Sequence, residues 1–598
     1  MQVPLSEGAP SGVLLERGSL LYDEVWAVDF EFQAPDGYRP NPVCMVAREL
    51  FSGRTIRMWR DELLKAKEPP FRTDKGAAFV AYYASAEIGC FLALGWEPPI
   101  NVIDFFTEFR AKTNGTQLVA GASLLGALMH HRLSTIGAEA KEEMRYLIMY
   151  RASMLWTAAE RKQIIEYCES DVVALARLAP RMVEYILRNG DQSLSQALFR
   201  GRYMIAAARM EWEGVPIDAQ LLHRLNANWD GIRTSLIRST DADYGIYTDF
   251  GTFSMDRFDG FLRKHGLPWP RTPNGMPETK QNTFRDMAAT HPLLQPLAEL
   301  RGTLAELRLN RLAVGPDDHN RTLLSAFRAR TGRNQPSNAK FVFGPAKWIR
   351  FLIMPPEGSA LAYIDWRSQE IAIAAGLSGD QNLIRAYQTD PYLDFAIAAG
   401  MAPQGATKAT HGKERDVCKA IVLGVNYGMG SDAMAYRAGI SRGEARTLLR
   451  LHRETYCNFW EWSELQIDRG MSGQTIYTRL GWPLRVGRGD YNGRSLMNHP
   501  MQANGADSMR LAACLATEAG HRICAPVHDA LLLIGDAATI EDEARAVAAI
   551  MEQVGETVAR IPVDADIAIT KPRERYFEKR GANMFAKVME HLERAENG

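Results

Sequence analysis

LAYIDWRSQE (361–370) ends an apolar, strand-like run in a lone aspartate, Asp365, and predicts a helix that begins near Ser368. APVHDALLLIG (525–535) predicts two strands that meet at a tight turn, with His528 and Asp529 at the bend. Singly, Asp365 is explained as a helix cap and Asp529 as a common turn residue. Together, the two stretches predict strand ends that present two carboxylates to one shared site.

A third stretch, RDVCKAIVLGVNYG (415–428), places residues Arg415, Lys419, Leu423 and Tyr427 four apart, which predicts one stripe along a helix. A surface helix with a stray tyrosine is the simpler interpretation of this stretch alone. Two carboxylates can hold two divalent ions ~3.5–4 Å apart, and two cations with an aromatic ring suit a triphosphate and a base. The three stretches together indicate a nucleotidyl transferase.

Length and composition indicate an ordinary globular protein of several domains. The chain has 598 residues, 46% of them hydrophobic, and a formal net charge of −1, so a polyanion needs a local basic surface. One window, 301–350, contains three acids and ten cations. The cations are Arg301, Arg308, Arg311, Arg321, Arg328, Arg330, Arg333, Lys340, Lys347 and Arg350. This window indicates either a solvated helix face or contact with a phosphate backbone.

The seven cysteines include no CxxC pair, so neither a zinc site nor a disulfide framework is indicated, which fits a reducing cytoplasm. The N-terminus lacks the pattern of a signal peptide, and no apolar run approaches a membrane span of roughly 18 residues. We therefore expect a cytoplasmic protein with no membrane partner.

Periodicity predicts the main elements along the chain. We expect a strand at 22–32, a strand and helix within 77–95, and a helix at 159–190 that stops at a glycine. Amphipathic helices that follow are predicted to break at 214–216. Loops and short helices are expected at 241–282, and one long helix at 291–314.

The three opening stretches resemble motifs A, B and C of the family A DNA polymerases, the type of bacterial DNA polymerase I and many phage replicases. Further matches follow in chain order: MEWEGVPID (210–218), TGR (331–333) and RSLMNHPMQANGAD (494–507). The likeness covers roughly 200–570, and several spaced motifs in the right order make it specific.

The resemblance implies a role for each matching residue. Asp365 and Asp529 would bind metal, Glu370 would exclude a ribose 2′-hydroxyl, and Arg415 with Lys419 would hold the incoming triphosphate. Tyr427 would flank the nascent base pair. Primer or template contacts would come from Arg333, Arg494, Asn498, Gln502 and His528. Minor-groove contacts suit an enzyme that copies any sequence, because that groove barely distinguishes the base pairs.

The chain departs from the family pattern at several points. Ala530 stands where motif C usually has Glu, and Arg367 is new in motif A beside the site. Leu423 stands where motif B often has Phe or Tyr, and this difference is expected to affect how the enzyme uses 3′-deoxy nucleotide analogues. The segment between Arg333 and Arg350 is shorter than usual and lacks the PNLQN stretch.

An upstream pattern resembles a proofreading 3′–5′ exonuclease of the DEDD type. VDFEF places Asp29 and Glu31 on one face of a strand, and Tyr167 lies one helical turn before Asp171. Each signal is weak alone, since an exposed strand face explains the first. By the resemblance, the three acids are metal ligands and Tyr167 orients the attacking water.

The fourth acid of such a site is predicted in YYASAE (82–87), where Glu87 takes the usual place of an aspartate and Tyr83 that of an asparagine. Asp104, in NVIDFF, is the alternative. A glutamate reaches about one methylene further and can still bind a metal.

The resemblance implies a mixed α/β multidomain fold: a ribonuclease H-like exonuclease domain, then a right hand of palm, fingers and thumb. The predicted ranges are 1–190 (exonuclease), 191–335 (thumb and connecting helices), 336–380 (palm, motif A), 381–490 (fingers, motif B) and 491–598 (palm, motif C and tail). It also implies two Mg²⁺ per active site, with Mn²⁺ as a substitute, and primer-template DNA and dNTPs as partners of a monomer.

The sequence leaves two alternatives to a DNA polymerase open. A single-subunit RNA polymerase shares motifs A to C, but Glu370 and the exonuclease pattern argue against it. A non-catalytic DNA-binding remnant is disfavoured by the intact Asp365, Asp529, Arg415 and Lys419. The departures, and the expectation that no 5′-nuclease precedes the exonuclease, favour a phage or prophage replicase in a bacterial or phage-infected cell.

Overall fold

A computed structural model describes residues 15–16, 20–134, 138–149, 155–306, 311–344, 346–487 and 492–597. The elements of the N-terminal region are β1 Glu24–Gln33, β2 Asn41–Glu49, β3 Thr55–Trp59, α1 Arg60–Leu63, β4 Ala77–Ala81, α2 Ser85–Leu94, β5 Val102–Asp104, α3 Phe105–Thr113, α4 Leu124–His130, α5 Ala138–Met149 and α6 Ala158–Ile186. The predicted strand at 22–32, strand–helix pair at 77–95 and helix at 159–190 are thus confirmed.

The N-terminal region contains a mixed five-stranded sheet in the order β3-β2-β1-β4-β5. β1 pairs antiparallel with β2 and parallel with β4, so it lies at the centre of the sheet. Its residues 25–28 are fully buried, and Asp29 and Glu31 follow on one face. α6 packs against β1 and β2, and a capping box between Thr157 and Glu160 begins it.

The middle region is mostly helical: α7 Asp191–Glu213, β6 Val215–Pro216, α8 Ala219–Ala227, α9 Trp229–Asp241, α10 Met255–Lys264, α11 Gln281–Thr290, α12 Gln295–Glu306 and β7 His319–Asn320. The predicted break at 214–216 is confirmed, as are the loops and short helix of 241–282. A second apolar core, distinct from that of the N-terminal sheet, joins this region to one face of the C-terminal sheet.

The prediction of one helix over 291–314 is wrong. A short 3-10 turn at Pro292–Leu294 precedes α12, and Val314 makes a strand-like bridge to Asn320. Pro292 suits the first turn, where its missing amide proton is not needed, and the prediction fails only at its C-terminal end. Residues 307–310 of the predicted helix, including Arg308 of the basic window, lie outside the described residues.

The C-terminal region contains β8 Ser359–Trp366, α13 Gln369–Ser378, α14 Gln381–Gln388, α15 Pro391–Ala398, α16 Gly412–Asn426, α17 Ser431–Ala438, α18 Arg442–Thr455, α19 Cys457–Met471, β9 Ile476–Tyr477, β10 Pro483–Leu484, α20 Gly493–Glu518, β11 Ile523–Val527, β12 Ala530–Asp536, α21 Ile540–Ala559, β13 Ala565–Thr570 and α22 Ala582–Asn597. The predicted strands on either side of His528 and the strand leading to Asp365 are confirmed.

An antiparallel sheet in the order β11-β12-β8-β13 forms the base of this region. Alternate residues of β8 enter different cores: Ala362 and Ile364 enter one, and Leu361 enters the other. Trp366 donates a hydrogen bond from Nε1 to the Met551 carbonyl of α21 at 2.8 Å, which fixes α21 on one face. Asp365 lies on the opposite face.

Candidate active sites

Strand pairing brings Asp365 and Asp529 together. Ala530, the first residue of β12, lies directly opposite Asp365 on β8, and the Trp366 amide donates to the Asp529 carbonyl at 3.3 Å. His528 adopts a positive φ of 58°, which makes the turn between β11 and β12 sharp. Asp365 does not cap the helix that follows, since α13 begins at Gln369 with no side-chain cap hydrogen bond.

The two carboxylates perturb each other because they are close and largely shielded from water. Burial and the charge of Asp529 raise the pKa of Asp365 to about 7. Burial likewise raises the pKa of Asp529. One oxygen of Asp365, Oδ1, is buried and lacks a hydrogen-bond partner among the described residues. Two hard oxygen donors with an unmet buried acceptor fit a divalent cation such as Mg²⁺.

The cations of the third stretch lie on α16, and the residue that caps α15 holds one of them in place. Arg415 donates from Nε to Asp390 Oδ2 at 2.6 Å. Arg415 and Lys419 both lie over the ring of Tyr392, at 5.0 and 5.4 Å from its centroid. Asp390 and Tyr392 were not predicted from the sequence, although an aspartate before a proline is a recognisable helix start. Tyr427 is the residue immediately after α16.

Glu370 lies at the first turn of α13, where it is contacted from two sides. Arg333 donates from Nη2 to Glu370 Oε1 at 3.0 Å. The hydroxyl of Tyr427 interacts with both Glu370 and Gln502, and burial followed by the Glu370 charge raises the pKa of Tyr427. Residues from three separate motifs therefore meet here, since Tyr427 of motif B and Arg333 of TGR both contact the carboxylate of Glu370 in motif A.

Residues expected at the DNA are divided between a cleft and a helix end. Arg333 and His528 line a cavity of about 560 Å³. Burial and nearby cations, Lys347 foremost, lower the pKa of His528. Arg494 is exposed at the start of α20, where Gly428 approaches it closely at a positive φ of 61°. Asn498 instead donates to the Asn426 carbonyl at 3.0 Å.

Two cations of the basic window form ion pairs within the protein. Arg350 is 2% exposed and pairs with Glu578, and Arg321 pairs with Asp317. These ion pairs join distant segments or tighten a loop. Part of the window's charge is therefore structural, which composition alone does not reveal.

The departures from the family pattern also have defined surroundings. Ala530 is fully buried, and Leu423 packs at the edge of the main core. Arg367 forms an ion pair with Asp564, the residue before β13, and its amide donates to the Asp564 carbonyl at 2.9 Å. Arg367 therefore holds two strands together.

The N-terminal acids also gather at one place. Asp29 and Glu31 lie on β1, facing Tyr167 and Asp171 on α6. Burial and then the charges of Asp29, Asp171 and Glu87 raise the pKa of Glu31 well above its usual range. Burial and then the charges of Asp171, Glu31 and Asp29 raise the pKa of Tyr167, which keeps its hydroxyl protonated. We call Asp29, Glu31, Glu87 and Asp171 the four-acid cluster.

Of the two candidate acids, Glu87 rather than Asp104 is the one whose charge acts on Glu31. Glu87 is 5% exposed on α2, its Oε2 lacks a partner among the described residues, and burial with the Asp29 charge raises its pKa. Asp104 stabilises the local backbone instead, because it accepts hydrogen bonds from the amides of Thr107, at 2.7 Å, and Ala84. It caps α3, and burial raises its pKa to about 7.

Cys168 is a neighbour of these acids that was not predicted from the sequence. Its thiol donates to Asp29 Oδ2 at 3.4 Å and to the Asp29 carbonyl at 3.3 Å. Asp29, Glu31 and Cys168 offer ligand atoms within 4.8 Å of one another. Burial raises the pKa of Cys168, so the thiol is neutral and serves as a hydrogen-bond donor to Asp29. Its position directly after Tyr167 is the only sequence signal.

Comparison with known proteins identifies the class. The sequence model described as DNA polymerase family A matches residues 255–574, more than half of the chain. A thermostable DNA polymerase I of Thermus thermophilus is 25% identical over 395 residues, 60% of this chain and 46% of that protein. DNA polymerase I of Synechocystis is 26% identical over 424 residues, 61% of this chain and 41% of that protein.

A solved structure is similar over nearly the whole chain. The POL domain of Pol1 from M. smegmatis, in complex with DNA primer-template and dNTP, matches with a TM-score of 0.73 and 18% identity. The match covers 93% of this chain and 96% of that one, which confirms the predicted polymerase fold.

This chain therefore belongs to DNA polymerase family A. It spans about half the length of the curated relatives it matches. In the part of the chain that the structure describes, no helix is both long and apolar enough to cross a membrane.

Proposed function

We propose that this protein is a template-directed DNA polymerase that adds dNTPs to a primer 3′-hydroxyl and releases pyrophosphate. The pairing of β8 with β12, which places Asp365 beside Asp529, is the observation that carries the proposal. Membership of family A, and a similar fold that was solved with primer-template DNA and dNTP, support the same two partners.

Asp365 and Asp529 would hold two Mg²⁺ ions, with Mn²⁺ as a substitute. The unmet Asp365 Oδ1 and the raised pKa values of both carboxylates are what a site built for cations has when they are removed. Bound there, the ions would activate the primer oxygen and stabilise the developing charge on the leaving group.

The chain's own side chains would bind and orient the nucleotide. Arg415 and Lys419 would hold the triphosphate, with Asp390 fixing the direction of Arg415 and the Tyr392 ring supporting both cations. Such pre-positioning lowers the entropy lost in reaching the reactive geometry. In-line attack on the α-phosphate is then favoured, because the triphosphate cannot rotate freely.

Glu370 would stand beside the sugar and exclude a 2′-hydroxyl. Its contacts with Arg333 and Tyr427 hold the carboxylate in one orientation. Arg333, Arg494, Asn498, Gln502 and His528 would contact primer or template. The lowered pKa of His528 keeps it neutral near pH 7, so it would act through hydrogen bonding.

We infer a second activity, 3′–5′ removal of primer ends, from the four-acid cluster. Asp29, Glu31, Glu87 and Asp171 are the donors for two divalent ions, and the protonated Tyr167 would orient the attacking water. A cavity of about 730 Å³ next to the cluster includes Tyr83 and Tyr167 in its lining, which suits stacking of unpaired bases.

We also propose that the protein is a monomer of the bacterial or phage-infected cytoplasm and replicates phage or prophage DNA. The departures at Arg367, Leu423 and Ala530 support a specialised replicase.

Primer extension on a primed DNA template tests the main proposal. The unaltered protein should extend the primer with dNTPs and Mg²⁺, and Asp529→Ala should abolish extension while leaving single-strand digestion intact. Retained extension in Asp529→Ala would remove Asp529 from the catalytic site. Extension with NTPs alone would favour the RNA polymerase alternative. Failure to extend the primer with any nucleotide would favour the alternative of a non-catalytic DNA-binding protein.

A further inference from the structure

The TGR motif lies at the end of a tight loop, residues 327–333, which we call the TGR loop. Phe327 has a positive φ of 57° and Gly332 one of 75°, so the backbone turns sharply at both places. The Ala329 amide donates to the Arg333 carbonyl at 3.2 Å, and the Gly332 amide donates to the Ala329 carbonyl at 2.9 Å. The position of the Arg333 backbone therefore follows that of the loop.

One side of the TGR loop is held by side chains at the end of α3, in the N-terminal region. Arg110 donates from Nη2 to the Arg328 carbonyl at 2.7 Å and from Nε to the Phe327 carbonyl at 3.3 Å. Asn114, directly after α3, donates from Nδ2 to the Arg330 carbonyl at 2.7 Å. These donors and acceptors are 216 to 218 residues apart in the chain, so the contacts join the two regions.

The C-terminal region meets the same loop at the same carbonyl. Trp482 donates from Nε1 to the Arg330 carbonyl at 2.9 Å. Asn114 also donates from Nδ2 to the carbonyl of Pro483, the first residue of β10, at 2.7 Å. The Asn114 residue is only 1% exposed, so water does not compete for these hydrogen bonds. Its amide therefore ties the TGR loop to β10.

α3 is itself fixed to both of its neighbouring regions. Arg200 of α7 donates from Nε to Glu108 Oε1 at 2.5 Å and from Nη2 to Glu108 Oε2 at 2.8 Å, in a buried ion pair. Arg485, which follows β10, donates from Nη1 to the Ala111 carbonyl at 2.7 Å. These contacts hold the helix in one place, so its donors reach the TGR loop in a fixed geometry.

We propose that Arg110 and Asn114 are positioning residues of the polymerase site, which act through the TGR loop on Arg333. Arg333 donates to Glu370, so the N-terminal region sets the orientation of the carboxylate that faces the nucleotide sugar. The inference rests on the proposed polymerase function, because it gives the N-terminal region a task in nucleotide selection besides the proposed removal of primer ends.

The choice between NTPs and dNTPs measures this orientation. The parent for the assay is the full chain carrying Asp29→Ala and Glu31→Ala, so that removal of primer ends does not interfere. Arg110→Ala should raise the ratio of kcat/KM for an NTP to that for its dNTP about fivefold, because a looser TGR loop holds Arg333 less firmly against Glu370.

Three further variants separate the role of the loop from that of charge alone. Arg110→Lys, which keeps a cationic donor, should restore most of the selectivity. Asn114→Ala, which loosens the loop from a second position, should raise the ratio in the same direction. Arg72→Ala removes an exposed arginine of the same region and is the matched control, so its ratio should equal that of the parent.

A double-mutant cycle distinguishes positioning from a general loss of stability. Arg333→Ala should itself raise the ratio, and Arg110→Ala added to it should change the ratio by less than about twofold, because Arg110 acts through Arg333. Independent effects that multiply in the double variant would overturn the proposal. A large fall in melting temperature in Arg110→Ala, with no recovery of selectivity in Arg110→Lys, would make Arg110 merely structural.

The two levels of proposal fail in different ways. If the parent extends primers and both Arg110→Ala and Asn114→Ala keep its ratio, only the positioning role is lost. If the unaltered protein extends no primer with any nucleotide, the proposed function itself is lost.

Discussion

Arg333 donates a hydrogen bond from Nη2 to Oε1 of Glu370 at 3.0 Å, which links a residue expected at the DNA to one expected at the nucleotide sugar. The Glu370 side chain is 16% exposed and that of Arg333 is 34% exposed, so solvent competes only in part for this pair. The orientation of Glu370 thus depends on a residue outside motif A.

Glu370→Ala is expected to raise ribonucleotide use about tenfold or more, because the truncated side chain leaves room for a 2′-hydroxyl. The measurement is the ratio of kcat/KM for each NTP and its dNTP on a primed template. Glu461→Ala, an exposed acid on α19, is the control and should leave the ratio unchanged. An unaltered ratio in Glu370→Ala would contradict the role of Glu370 in excluding the 2′-hydroxyl.

Asp390→Asn is expected to raise KM for dNTPs about tenfold while kcat changes little, because Arg415 loses its charged partner. The amide retains the oxygen that caps α15, where Asp390 Oδ1 accepts from the amides of Tyr392 and Leu393 at 3.1 Å. Helix stability is therefore preserved, and a thermal melt checks this. Asp390→Ala loses both functions and should in addition cost about 1 kcal/mol of stability. A KM equal to that of the unaltered protein would separate Asp390 from nucleotide binding.

The metal-free protein is expected to lose stability as the pH rises toward 7. An acid whose pKa is raised by folding binds protons more tightly in the folded state, so its stabilising contribution is present at low pH. For Asp365 this contribution is complete below about pH 4, the ordinary pKa of aspartate, and is lost as the pH rises through about 7.

Melting temperatures in EDTA at about pH 5 and pH 8 measure this effect. The drop should be smaller in Asp365→Asn, which cannot ionise, and Mg²⁺ should reverse much of the drop in the unaltered protein. Equal drops in both proteins would show that Asp365 does not carry the pH dependence.

Glu87→Gln and Asp104→Ala are expected to have opposite effects. Glu87→Gln should lower single-strand digestion by about a hundredfold and leave stability unchanged or higher, since it removes a buried like charge. Asp104→Ala should lower stability by about 1–2 kcal/mol because α3 loses its cap.

Digestion per folded molecule should survive in Asp104→Ala. Digestion is followed on a labelled primer without dNTPs, and unfolding in urea. If Asp104→Ala abolishes digestion in fully folded protein and Glu87→Gln does not, then Asp104 and not Glu87 is the fourth acid of the exonuclease site. If the unaltered protein digests nothing, the exonuclease proposal is wrong.

Local pattern was enough to predict the elements that carry the sites. Alternation predicted β1, an apolar run predicted β8, the four-residue spacing predicted α16, and the turn chemistry around His528 predicted the β11–β12 hairpin. Each prediction depended only on neighbours in the chain. The long helix predicted at 291–314 was wrong at its C-terminal end, where Val314 pairs with Asn320 in a strand-like bridge that a helical pattern does not reveal.

Residues without a local signal could not be found this way. Asp390, Tyr392 and Cys168 matter only because α15, α16 and α6 bring them to other groups. The choice between Glu87 and Asp104 was also beyond the sequence, since both are buried acids in the right region. Backbone amides already occupy Asp104, and that is a property of the folded chain.

The sequence by itself determined the family, the order of the motifs and the two aspartates at strand ends, because these depend on residue types at short spacing. Only the tertiary structure decided which groups face them. Strand register placed Ala530 and Asp566 on either side of Asp365, and packing turned Arg367 toward Asp564 and Arg333 toward Glu370. Register and packing follow from how distant segments fit together, and no single segment encodes that fit.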